Sequence, residues 1–337
     1  MSGAVEPREP TGYYGVAPIH KAHWHWLIIT YFFAGGIAAG SYVVASIAEL
    51  LGGEAGRRIA RAGRYVSLAF ILPSPVLLIL DLRRPDRFLN MLRVFKFRSP
   101  MSMGVWGLVA FSGFSGLSAV VQAAQDGLLE SAPVLAVLLR ALPGRAIALL
   151  GTGPALFLGG YTGVLLAATA VPLWTRRYLL MGPLFLACAL STGTAAVTLV
   201  LSMVRGTSDR SIHRLERLDS LALLAEMGLL LRLQNGLGPV IGRPLREGRL
   251  AMVERVVLTF GLAAPMGFQG SAALFGWRLP RGLTALASAL VLCGGYLLRY
   301  MMIVGGQQSA DDPQATFELA RGDGRSAAAG GSSGLQP

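Results

Sequence analysis

Three of the four histidines, His20, His23 and His25, stand directly ahead of a long apolar run in HKAHWHWLIITYFFAGGIAAGSY, residues 20–42. An imidazole can donate or accept a hydrogen bond, move a proton or bind a metal, and its depth decides which of these is open. A b-type haem held between membrane helices needs axial ligands well inside the bilayer. Here three histidines precede the apolar run and the fourth, His213, lies in a basic segment, which excludes a two-haem cytochrome b. His25, between Trp24 and Trp26, is closest to the run. At headgroup depth it reads either as an interfacial anchor or as a donor facing a lipid-borne ligand. Two isolated thiols, Cys188 and Cys293, can supply neither the four ligands of an iron–sulfur cluster nor a disulfide framework, and read as small buried apolar side chains.

A second group lies within apolar sequence. Tyr161, in GGYTGVLLAATAVPLW, stands in a glycine-lined run where its hydroxyl needs a partner, and a carbonyl-bearing ring is one candidate. Glu226, in LDSLALLAEMGLLLRLQ, lies about 10 Å beyond Asp219 at roughly 1.5 Å per helical residue. Ionisable groups at that depth are costly, so Glu226 must be protonated, paired or beside water. Arg299, in GGYLLRYMMIVGG, either serves a function within the last apolar run or snorkels to the interface. Asp219, Glu226 and Arg299 are together candidates for a proton pathway. Asp81, which follows the kink-forming LPSP and opens DLRRPDRF, reads as a loop-fixing partner of Arg83 and Arg84 or as a proton donor to a site at that surface.

The elements that hold these residues follow from composition. The 337 residues are 53% hydrophobic and 14% charged, against about 25% charged in soluble domains, and mean hydropathy is +0.55. Eight stretches, 26–51, 62–81, 103–123, 146–170, 179–203, 219–237, 252–276 and 282–305, approach the roughly 20 residues a crossing requires. Backbone groups in lipid need internal partners, so these must be helices. The expectation is an all-α membrane protein of eight transmembrane helices in two four-helix bundles: a polar arm at 1–23, a first bundle at 24–178, a second at 179–305 and a disordered low-complexity tail at 306–337. No cleavable signal segment is visible. The net charge of +12 sits in loops, where anionic lipid headgroups account for it, and nucleic-acid binding is rejected. An even number of crossings places both termini on one side, and the Lys and Arg bias makes that side cytoplasmic. Between crossings, Phe88, Leu89, Leu92 and Phe95 recur at helical spacing, as in a helix lying in the interface, and 204–219 is a basic connection. Gly36 and Gly40, and Gly159 and Gly163, form small-residue packing seams.

HWHWLIITYFFAGGIAAGSY, LDLRRPDRFLNML, SPMSMGVWGL and YTGVLLAATAVPLW, in that order on successive crossings, resemble the polysulfide-reductase membrane-subunit family, NrfD/PsrC. The likeness covers about residues 24–180; the second half agrees in crossing number and in an acid like Glu226. The resemblance implies an eight-helix quinone-reactive subunit of a multi-subunit oxidoreductase in the inner (plasma) membrane. It would carry no haem or iron–sulfur cluster of its own and would bind menaquinone or ubiquinone as substrate. Its implied partners are a four-cluster ferredoxin-like iron–sulfur subunit, docked over the 81–102 loop, and a molybdopterin catalytic subunit. Carried over by position, His25 and Tyr161 would hold the quinone head, with Asp81 near the same end. The family has an asparagine about one turn before the histidine, where this sequence has Lys21. Two other readings compete: a proton-translocating module around Glu226 and Arg299, and a passive anchor for soluble subunits.

Overall fold

The computed structural model describes residues 24–82, 85–204, 206 and 208–320, and every regular element among them is helical. Lys21, His20 and His23, the polar arm, the Arg83–Arg84 pair and the chain beyond 320 lie outside the described residues. In chain order the helices are α1 (Trp26–Leu51), α2 (Gly53–Ile71), α3 (Pro73–Asp81), α4 (Phe88–Arg93), α5 (Pro100–Gln125), α6 (Pro133–Arg140) and α7 (Gly144–Ala167). There follow α8 (Pro172–Thr175), α9 (Tyr178–Met203), α10 (Asp209–Gly236), α11 (Gly238–Ile241), α12 (Arg243–Arg246), α13 (Gly248–Val256), a π-helical stretch (Val257–Ala263), α14 (Ala264–Phe275) and α15 (Arg281–Asp311). Pro opens several of these, where its missing N–H costs nothing. Among the described residues, seven helical segments are long and apolar enough to cross a membrane. The eighth long helix, α10, has 28 residues and is not among the seven; its first turns carry Asp209, Arg210, Arg214 and Arg217.

Local chemistry explains where the elements depart from expectation. The 62–81 crossing is two helices meeting at Leu72, because Pro73 and Pro75 lack the N–H groups that would continue the ladder. The basic connection at 204–219 ends at Ser208, whose Oγ accepts from Ser211 N–H at 3.4 Å and caps α10; His213 is therefore on a helix, not in a loop. The interfacial helix stops at Arg93, and Phe95 instead packs edge-on against Trp106 at 6.0 Å. A tail does not begin at 306: α15 continues to Asp311 and 313–320 are helical. Gly306 is buried there because the Trp174 indole lies against it, with Nε1 donating to Met302 O at 2.8 Å.

Helix α9 occupies the middle of the molecule, packed along α1, α7, α10 and α15. Its contacts with α1 and α7 are made by glycine: a Cβ on Gly193 would strike the Gly40–Ser41 backbone of α1, and one on Gly163 of α7 would strike the Met181 carbonyl of α9. Gly261 and Gly294 similarly bring the π-helical stretch onto α15. That stretch precedes Pro265, which cannot donate back to Gly261 and so disfavours a regular α turn. The start of α1 and the last turns of α15 meet where Gln307 Nε2 donates to Trp24 O at 2.9 Å. We call this the terminal end, and the end where α1 reaches Gly52 the far end. Helix α10 starts near Gly52, whose carbonyl accepts from Arg214 at 2.9 Å. It finishes beside Arg177, which donates to Gly236 O at 3.4 Å.

Candidate functional site

The terminal end gathers residues from four helices. His25 is the N-cap of α1; its carbonyl accepts from Ile28 and Ile29 N–H and its exposed side chain makes no cap bond. Its position is set by Trp24, which stacks on Trp174 at 5.4 Å and meets Phe32 edge-on at 6.1 Å. Asp81, the last residue of α3, is half-buried and close enough to His25 for their charges to interact.

Tyr161 lies on α7, 5% exposed. Its hydroxyl donates to Pro100 O, at the start of α5, at 2.6 Å. A Cβ on Gly104 would fall on the phenol, so glycine there is what lets the ring lie flat on α5. Phe157 covers it at 5.5 Å, and Tyr31 of α1 is within electrostatic range. The partner that the sequence required for Tyr161 is thus a backbone carbonyl of this chain. His25 and Tyr161 share the terminal end without touching in any described contact. A cavity of 280 Å³ at the same end is lined by Asn90, Met91, Val94, Lys96, Ser99, Met101, Ser102 and Val105, and neither His25 nor Tyr161 lines it.

A second cluster lies in the interior. Arg299 does not snorkel: it is 1% exposed. It donates to Phe32 O at 3.2 Å, Gly295 O at 2.8 Å and Cys188 Sγ at 3.1 Å, and its guanidinium lies 5.6 Å from the Phe33 ring and 6.0 Å from Phe185. Gly36 leaves the space for it. Glu226 accepts from Ser191 Oγ at 2.6 Å, and Cys188, which accepts from Arg299, lies within electrostatic range of that carboxylate. Cys188 is therefore a buried polar partner of Arg299, whereas Cys293 is exposed.

Asp219 lies two turns back along the same face of α10, 1% exposed. It faces Gln269 of α14, and among the described residues neither side chain has a hydrogen bond of regular geometry. One turn earlier, Glu216 accepts from Thr284 at 2.8 Å, with His213 Nδ1 at 3.6 Å. Three buried carboxylates, Glu216, Asp219 and Glu226, thus mark one stripe of α10 from the far end to the Arg299 cluster.

Sequence reading missed Glu216, which it placed in a loop, and a polar network in the first half. There the buried Arg64 pairs with Glu49 and donates to Gln122 at 2.7 Å, and Asp126 holds Tyr65 at 2.7 Å and Arg61 at 2.8 Å. The available signal was Arg64 itself, a charge inside the 62–81 apolar run. Among the described residues no group of three or more His, Cys, Asp or Glu side chains is placed to hold a metal ion.

Similarity to known proteins extends over most of the sequence. The family model described as "Polysulphide reductase, NrfD" matches residues 17–310. Over 309 residues the protein is also 28% identical to the C chain of polysulfide reductase from Wolinella succinogenes, a match covering 84% of this sequence and 94% of the relative.

Proposed function

Because the chain belongs to the polysulphide reductase NrfD family, we propose that it exchanges electrons between the membrane quinone pool and an iron–sulfur partner at the terminal end. The observation that supports this reading is that His25, Asp81 and Tyr161, on three separate helices, lie towards one end of the molecule, with Asp81 beside His25. Menaquinone or ubiquinone enters from the lipid as substrate. The Tyr161 hydroxyl exchanges Pro100 O for one ring oxygen, and the His25 imidazole donates to the other. Donors aimed where negative charge develops favour the reduced ring. Asp81, beside His25, passes protons between that imidazole and the surface. Quinol oxidation gives up two electrons and two protons, and reduction takes up the same number. Lys21 lies a turn ahead of His25 in sequence and completes the proposed headgroup contacts.

The partner is a four-cluster ferredoxin-like subunit seated over the 81–102 loop, with a molybdopterin catalytic subunit beyond it; a relative named as one lettered component of a polysulfide reductase supports a multi-subunit setting. We take α10 as an eighth crossing. Its length of about 42 Å at 1.5 Å per residue and its contacts at both ends support this. The chain then forms two four-helix bundles, 24–178 and 179–305, in the inner membrane, with the polar arm, the tail and both termini on the cytoplasmic side.

A second reading is favoured by the carboxylate stripe: Glu216, Asp219 and Glu226 with Arg299 carry protons through the second bundle. The two readings separate by mutation in the intact complex. His25→Ala and Tyr161→Phe lower quinone-linked turnover by about 100-fold or more, the range for a lost proton-transfer group, and Glu226→Gln spares turnover while abolishing proton uptake by vesicles. Normal turnover in both site variants would reduce the subunit to a passive anchor. Loss of turnover in Glu226→Gln alone would move the redox site to the second bundle.

A further inference from the structure

A cavity of 810 Å³ forms an open groove between α2 and α9 at the far end, remote from the terminal-end site. Its inner walls are apolar, with Val66, Ala69 and Phe70 from α2 and Val200 and Leu201 from α9. Its mouth carries Arg58 and Arg61. Arg61 is neutralised by Asp126 at 2.8 Å. Arg58 is exposed and donates to Gly206 O, a neutral acceptor that leaves its charge uncancelled. From Arg58 to Phe70 is twelve residues, about 18 Å along the helix. That is close to one leaflet, half of a hydrocarbon core of about 30 Å. A cation at the rim, an apolar wall of leaflet depth and an opening to the side describe a ligand with an anionic head and a long hydrocarbon tail.

The arrangement repeats on the other side of α2. A second groove of 330 Å³ has Arg214 at its rim, donating to Gly52 O at 2.9 Å, above a floor that includes Val44, Ile47, Ile59 and Leu218. Two separate grooves pairing a guanidinium bonded to backbone carbonyl with apolar depth argue for headgroup chemistry over chance voids. A quinone head requires no cation at the rim, and a neighbouring subunit's helix requires no pocket of one-leaflet depth.

We propose that the α2–α9 groove is a specific site for an anionic phospholipid, its phosphate on Arg58 and an acyl chain along Val66, Ala69 and Leu201. Basic pockets between membrane helices take such headgroups through the same electrostatics. The inference does not rest on the quinone reading.

The test uses the full-length protein, stripped of lipid in mild detergent and titrated with phosphatidylglycerol or with phosphatidylcholine of identical acyl chains, bound lipid being counted by native mass spectrometry. Phosphatidylglycerol binds at roughly five-fold lower concentration, the effect of about one cation near the headgroup plane. Arg58→Gln weakens that preference, with the Arg214 groove supplying what remains, and an unchanged preference overturns the proposal; Ala69→Trp, which fills the groove, lowers binding of both lipids. Equal affinity of the unmodified protein for the two lipids overturns the proposal, as does unchanged lipid binding in Ala69→Trp. Should Arg58→Gln fail to fold, Ala69→Trp decides alone. Co-purification of quinone lost on Ala69→Trp would reassign the groove to a redox ligand.

Discussion

A guanidinium that is 1% exposed inside an apolar helix must have its charge met by neighbours, because an unpaired buried charge costs several kcal/mol. Arg299 meets it with two backbone carbonyls, a thiol and two aromatic faces. Cys188, one of these partners, also lies within electrostatic range of the Glu226 carboxylate. If Cys188 links them, Arg299→Met and Glu226→Gln are not independent. Unfolding of the single and double variants in detergent should give a coupling energy of roughly 0.5–3 kcal/mol, and Cys188→Ala should shrink it. Additivity within about 0.5 kcal/mol would mean that the two charges are compensated separately. At this scale the sequence was partly transparent. Glu226 and Arg299 declared themselves by their depth in apolar runs. The role of Cys188 did not, since its contact with Arg299 joins residues far apart in sequence and a buried thiol has the same composition signal as a buried alanine. Glu216 was hidden by the arginines around it, which imitate a loop.

At the scale of elements, the crossing between α1 and α9 rests on glycines that admit backbone atoms at contact distance. A methyl group at Gly193 would meet main-chain atoms, which cannot rotate away, so Gly193→Ala should destabilise the fold by about 1–3 kcal/mol, the usual range for overpacking. Gly116 of α5 meets nothing within 4 Å. There the same change should be neutral or stabilising by about 0.5 kcal/mol, from the lower chain entropy of alanine. Thermal unfolding of both variants in the same detergent checks the contrast; equal losses would remove the glycine contact as the cause. The seam around Gly40 and Gly163 was readable from the spacing of small residues. So were most helix bodies, because lipid permits little else for a long apolar run. Ends were less readable. The start of α10 is mostly charged, and its narrow apolar face, Ile212 and Leu215, is buried behind the Ser208 cap. The close of α15 carries Gly305 and Gly306, which look like a linker until Trp174 is placed against them.

For the molecule as a whole, the question that decides orientation is whether α10 crosses. Hydropathy alone yields seven candidate spans, an odd number that would put the two termini on opposite sides. The described contacts connect Trp24 with Gln307, which joins the first and last long helices at one end and argues for an even count. Of the charges that disqualify α10 by composition, Arg210, Arg214, Arg217 and Arg232 are exposed near its two ends, and the three carboxylates between them are buried. Glu216, Asp219 and Glu226 are buried against α15, α14 and α9; hydroxyls of Thr284 and Ser191 meet part of the cost for Glu216 and Glu226, as is usual for ionisable groups within a bundle. Reporter fusions at residues 206, 242 and 320 distinguish the alternatives. With α10 as a crossing, the reporter at 206 falls on one side and those at 242 and 320 on the other. Under the proposed orientation, with the excess of Lys and Arg on the cytoplasmic side, a green fluorescent reporter matures at the latter two positions. Matching signals at 206 and 242 would leave α10 on one side of the membrane, and the carboxylate stripe would then lead nowhere that a transmembrane proton path requires.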